Sequence, residues 1–155
     1  MKKYFPVLLA SLFFTLRAYP QDKIKPSFVA ICVSNIDSAV SWYCNILNLK
    51  LRNRYDNEER GVKQVVLINK EIMIELIELK RAVILDTLLS SQPKGTLATG
   101  VLKFGFTVKD LDKTHQEMSA KKVSFFGRTV KDPVNNKRTF LIKDPDGNLL
   151  QFFEE

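Results

Sequence analysis

With 155 residues, 45% of them hydrophobic and 10% aromatic, the chain is long enough to bury one core and too short to favour two independent domains. Its formal net charge is +7, but Lys2, Lys3 and Arg17 sit in the first segment, and removing those three charges leaves an ordinary excess of +4. The other cations are scattered among acids, as in Asn57-Glu58-Glu59-Arg60, with no basic stripe interleaved with aromatics, which leaves nucleic acid without support as a partner.

The chain opens with two lysines, an apolar run from Tyr4 to Leu16, and a more polar stretch from Arg17 to Gln21. That order is the one an export signal uses. A membrane span needs about 20 apolar residues, and this run stops short of it, so residues 1–20 are expected to be removed as a signal peptide rather than kept as an anchor. The mature domain, 21–155, would then be periplasmic or secreted, with no stable membrane insertion. Ala18 is a usable small residue, but no clean small-x-small triplet marks the cleavage site.

Phe28 to Val33 reads as a strand, Asn35 as a helix cap, and Ile36, Ala39, Val40, Tyr43, Ile46 and Leu47 recur at helical spacing. Three strand-like segments follow, about Lys50 to Tyr55, Val62 to Ile68 and Ile72 to Leu79, the last two joined by a tight turn at Asn69-Lys70. Residues 80–100 read as a short helix and then a flexible linker. Phe104 to Val108 is a second apolar run, Asp110 a second cap, and Leu111, Thr114 and Met118 a second helical face. Three more strands are expected near Val123 to Thr129, Arg138 to Lys143 and Leu149 to Phe153, with Asp144-Pro145-Asp146-Gly147-Asn148 as the final turn.

The halves match at a constant offset, Val33 with Val108, Asn35 with Asp110 and Asp37 with Asp112. That is the mark of an internal duplication. The expected fold is therefore α+β, with a first βαβββ repeat at 27–79 and a second at 101–155. Alternation along the strands then assigns faces. Val29, Ile31 and Val33 share an apolar face with their helix, as do Leu102, Phe104, Phe106 and Val108 in the second repeat. The other face carries Phe28, Ala30 and Cys32, or Lys103, Gly105 and Thr107, joined by Met73, Glu75 and Ile77 and by Leu149, Gln151 and Phe153. Cys44 rides a helix on the opposite side of the sheet from Cys32, so no disulfide is expected even in an oxidising compartment.

From Phe28 to Glu155 the chain resembles the vicinal oxygen chelate superfamily of glyoxalases, bleomycin resistance proteins and extradiol dioxygenases. The resemblance rests on Phe28-Val29-Ala30-Ile31-Cys32-Val33-Ser34-Asn35, Trp42-Tyr43-Cys44-Asn45-Ile46-Leu47 and Lys143-Asp144-Pro145-Asp146-Gly147-Asn148. It implies a cupped mixed sheet with helices on its convex side. It specifies the reaction poorly, because members isomerise, open rings, transfer thiols or only bind drugs.

The metal-dependent members hold a divalent ion at positions that map here onto Phe28, Glu75, Lys103 and Gln151. Only Glu75 is a good ligand: Phe28 has no donor atom, Lys103 adds a positive charge and a Gln oxygen is weak for a metal such as zinc. The expectation is therefore no metal and no cofactor. The cup, lined by Phe28, Ala30, Cys32, Met73, Glu75, Lys103, Gly105, Thr107, Gln151 and Phe153, would take a small organic ligand, in one chain or in a homodimer. The alternative is a glyoxalase-like lyase or isomerase, or a dioxygenase-related enzyme, with an unusual site; catalytic residues are unassigned, Glu75 being the candidate general base.

Within the cup, Glu75 and the Lys103 ammonium are expected to form an ion pair. His115, the only histidine, reads as a structural residue of the second helix. Cys32 has no histidine nearby to activate it as a nucleophile, so it reads as a small wall residue. Trp42 and Tyr43 are assigned to packing.

Overall fold

The computed structural model describes residues 25–155; the segment expected to direct export lies outside them. The first repeat runs β1 (Val29–Cys32), α1 (Ile36–Leu47), β2 (Lys50–Asn57), β3 (Val62–Ile68) and β4 (Met73–Leu79). A five-residue helix, α2 (Leu85–Leu89), follows. The second repeat runs β5 (Lys103–Val108), α3 (Leu111–Ala120), β6 (Ser124–Phe125), β7 (Val130–Lys131), β8 (Arg138–Lys143) and β9 (Leu149–Glu154).

Both helices begin as the duplication predicts. The Asn35 side chain accepts the Ser38 N–H at 2.9 Å, and the Asp110 carboxylate accepts the Lys113 N–H at 2.9 Å. Each cap satisfies a backbone donor that would otherwise have no helical partner. Asn69 makes the β3–β4 turn by accepting from the N–H groups of both Glu71 and Ile72, each at 2.9 Å.

The strands form two sheets, one of four strands ordered β1-β4-β3-β2 and one of five ordered β5-β9-β8-β6 with β7 also on β8. In each, the first strand of the repeat lies parallel to the last: Ala30 is level with Glu75, and Gly105 with Gln151. The repeat therefore extends to the register. The single strand expected at Val123 to Thr129 is instead split into β6 and β7, with Gly127 between them at φ +78°. That left-handed turn is open to glycine and ends the extended run.

One face of each sheet is buried under its helix: Ile31, Ile74, Leu76, Val65 and Leu67 in the first, Leu150, Phe152, Phe140 and Ile142 in the second. A single hydrophobic cluster includes both sets together with Tyr43, Ile46, Leu111 and Met118. Polar contacts clasp the halves as well. The buried Tyr43 hydroxyl donates to Asp144 Oδ2 at 2.8 Å, Asp146 accepts the Ser34 N–H at 3.1 Å, and Lys121 donates to the Asn45 carbonyl at 2.6 Å. The turn that the sequence marks as a strand connection is thus also the point where the second repeat grips α1 and the loop before it.

Repeated ion pairs accompany this. Lys63 meets Glu78 at 3.0 Å and, at the equivalent place in the second sheet, Arg138 meets Glu154 at 3.5 Å. Both pairs are solvated and screened, so neither is a main source of stability.

Candidate functional site

The faces turned away from the helices are the open ones, and strand pairing sorts their side chains into rows. In the first sheet, Ala30, Glu75, Val66 and Asn53 form one row, and Cys32, Ile77, Gln64 and Tyr55 the next. In the second, the rows are Lys103, Leu149 and Lys143; then Gly105, Gln151 and Leu141; then Thr107, Phe153 and Thr139. All ten residues expected to line the cup lie on or at the start of these faces. Phe28, one residue ahead of β1, is 56% exposed. Ala30, Cys32, Lys103, Gly105 and Thr107 are exposed, and Met73, Glu75 and Phe153 are half-buried. One atom of the Phe153 ring lies 3.6 Å, and a second 3.9 Å, from where a Cβ on Gly105 would project, so the ring leans over the glycine.

Gln151 departs from the picture of an open floor. It is 3% exposed, and Thr139 beside it is 1% exposed. Its amide donates to Thr139 Oγ1 at 3.0 Å, while that hydroxyl donates to the Phe152 carbonyl at 2.7 Å. Thr139 therefore presents a lone pair to an amide N–H. At the equivalent place in the first sheet the polarity is reversed: Gln64 donates its amide to the Glu75 carboxylate. Each last strand carries one polar group on its open face, and the neighbouring strand supplies the complementary donor or acceptor. Sequence parity places these residues on the right face but does not reveal the pairs, which need the register.

Glu75 and Lys103 do not pair within the chain. They stand on different sheets, Glu75 is bonded by Gln64, and Lys103 takes part in none of the ion pairs formed among the described residues. Parity assigned both to an open face correctly, but it carries no information on whether two faces belong to one sheet.

The donor set fits a divalent metal poorly. Gln151 is committed to Thr139 in a buried pair, Phe28 has nothing to donate, and Lys103 would repel a cation. Among the described residues, no three His, Cys, Asp or Glu side chains gather as a metal-binding group.

His115 and Trp42 are packing elements. His115 stacks on Phe125 at 4.3 Å and meets the edge of Phe140 at 5.1 Å. Trp42 packs edge-on against Tyr43, with ring centroids 4.8 Å apart. Cys32 and Cys44 are both free thiols, and burial pushes the Cys44 thiol up from its usual value. A crevice of about 800 Å³ is lined by residues of both repeats, among them Asn48, Asn69 and Glu71 from the first and Gly105, Phe106 and Met118 from the second. Its walls come from segments distant in the chain, so no local pattern marks it.

A family model for the glyoxalase/bleomycin resistance protein/dioxygenase superfamily matches residues 25–152, nearly all of the described chain. The chain belongs to this superfamily. Solved structures agree on the fold of this superfamily member. A glyoxalase family protein from Enterococcus faecalis is similar with a TM-score of 0.72 and 18% identity, over 84% of this chain and 97% of that one. A glyoxalase I mutant from Zea mays gives a TM-score of 0.64 at 15% identity, over 83% of this chain but 44% of the maize protein. A fosfomycin resistance protein from Listeria monocytogenes, whose structure contains Mn(II) and sulfate, gives 0.62 at 13% identity, over 84% and 92%. Comparison with curated proteins finds no match.

Proposed function

We propose that this superfamily member binds a small organic molecule against its open sheet faces without a metal ion. The observation that carries the reading is the state of Gln151. At a position where the family resemblance implies a metal ligand, the side chain is an uncharged amide, buried and bonded to Thr139. Glu75 is the one carboxylate in the set, and a single carboxylate holds a divalent ion weakly. Apolar side chains on the same faces, Phe28, Met73, Val66, Leu149 and Phe153, supply the surface that an organic ligand would cover.

The candidate residues are divided between two sheets, so a homodimer that sets the first sheet of one chain against the second sheet of its partner would complete the pocket. Elemental analysis of protein purified without chelators is expected to find no stoichiometric divalent metal. One zinc, nickel, iron or manganese per chain would overturn the reading. An enzymatic version would use Glu75, half-buried and held by one amide, as its base. Such turnover would vanish in Glu75→Gln, whereas simple binding would survive that change.

We further propose export to the periplasm or beyond, on the basic, apolar and polar order of residues 1–21. No helix among the described residues is long and apolar enough to cross a membrane. The intact mass of protein recovered from its native host should correspond to a chain starting near Gln21. A cytoplasmic species retaining Met1 would refute export.

A further inference from the structure

The two open faces are related by the internal duplication, and they differ most at one end. In the first sheet the end row is apolar: Phe28 just ahead of β1, then Met73 and Ile68, with Lys50 beyond them on β2. The equivalent row of the second sheet is Lys103, Leu149 and Lys143. Lysines replace Phe28 and Ile68, and Leu149 takes the place of Met73.

Several observations say that these two ammonium groups are available to a ligand. Neither lysine belongs to any of the ion pairs formed among the described residues. The nine residues in the three rows of that face, Lys103 to Thr139, include no Asp or Glu. Lys143 Nζ lies 5.3 Å from the centre of the exposed Phe126 ring, which fixes the ammonium over an aromatic surface without neutralising it. Two uncompensated cations flanking a leucine on an acid-free face form a recognition surface with an apolar middle and an anion-attracting rim.

We propose that the ligand is an organic anion with an apolar body, whose carboxylate, sulfonate or phosphate group is held by Lys103 and Lys143 while its body lies on Leu149 and the facing apolar side chains. This inference rests on the open faces being the binding surface. It adds the ligand's charge and the residues that read it.

The test uses two dyes of similar shape, 8-anilinonaphthalene-1-sulfonate and the uncharged N-phenyl-1-naphthylamine, titrated against the folded protein with fluorescence as the readout. A solvated charge pair is worth up to about fivefold in affinity, so losing both lysines should cost up to about 25-fold. Lys103→Met/Lys143→Met is expected to weaken the sulfonate relative to the neutral dye by that factor, while an unchanged urea midpoint shows that the variant is folded. Raised salt should weaken the sulfonate in the wild type and much less in the variant. If both dyes bind and the double variant alters neither, the anion inference falls and the metal-free apolar pocket stands. If neither dye binds the wild type, both fall together.

Discussion

Asp144→Ala should destabilise the protein by about 3 to 5 kcal/mol, one of the largest losses expected for a residue outside the apolar core. Asp144 is 5% exposed, and its carboxylate accepts four hydrogen bonds: from the Tyr43 hydroxyl at 2.8 Å, the Asp146 N–H at 3.0 Å, the Asn148 N–H at 2.8 Å and the Asn148 amide at 2.9 Å. Alanine leaves these donors without an acceptor. The Tyr43 hydroxyl is the worst placed of them, since Tyr43 is fully buried and little water can reach it. Tyr43→Phe removes one donor and leaves Asp144 three bonds, so its cost should be nearer 1 to 2 kcal/mol, as is typical of about one hydrogen bond. The two changes share a contact, and a double-mutant cycle read by urea unfolding should return a coupling of about 1 kcal/mol or more. Purely additive losses would mean that the clasp between the repeats is not energetically coupled.

The same pair predicts the alkaline limit of the fold. Burial, and secondarily the charge of Asp144, hold the Tyr43 hydroxyl well above its ordinary pKa. Its folded pKa is raised, so the stability from keeping it protonated is complete below the unfolded value of about 10 and is lost as pH climbs beyond it. Tyr43→Phe should flatten this part of the stability profile while lowering stability at neutral pH.

Much of this architecture is legible in the sequence because duplication writes the same signals twice. Asn35 and Asp110 are local caps, and the strand faces follow from alternation, so neither depends on knowing how strands pair. What stays hidden is relational. Gln64 and Glu75, or Thr139 and Gln151, meet diagonally across neighbouring strands, and only the register shows it. Tyr43 and Asp144 lie 101 residues apart, with nothing local to link them. The expected Lys103–Glu75 pair failed for the same reason: both residues do lie on open faces, but on two different sheets. The break between Ser124–Phe125 and Val130–Lys131 was local, and Gly127 was its available sign.

Gln151→Glu should have a pH-dependent effect that separates an evolved amide from a ligand position still able to carry charge. The new carboxylate would sit in a position 3% exposed, facing Thr139 Oγ1, whose proton is committed to the Phe152 carbonyl at 2.7 Å. An ionised carboxylate there finds a lone pair instead of a donor. The protonated acid can donate to that oxygen as the amide does now. Desolvation and hydrogen bonding both favour the neutral form, so the folded pKa rises above the unfolded value of about 4.3. Between the two values the folded chain binds more protons than the unfolded one, and stability falls as pH increases. The variant should match the parent within about 1 kcal/mol near pH 4 and lose about 3 to 5 kcal/mol by pH 8, the usual cost of an uncompensated buried charge. Glu75 stands in a different setting, only half-buried and with the Gln64 amide donating to its carboxylate. Adding zinc or manganese at pH 8 should not restore the variant, since Phe28 and Lys103 still complete the set. Recovery of most of the lost stability on adding either metal would show that the position retains a metal site and that the open face is built for one.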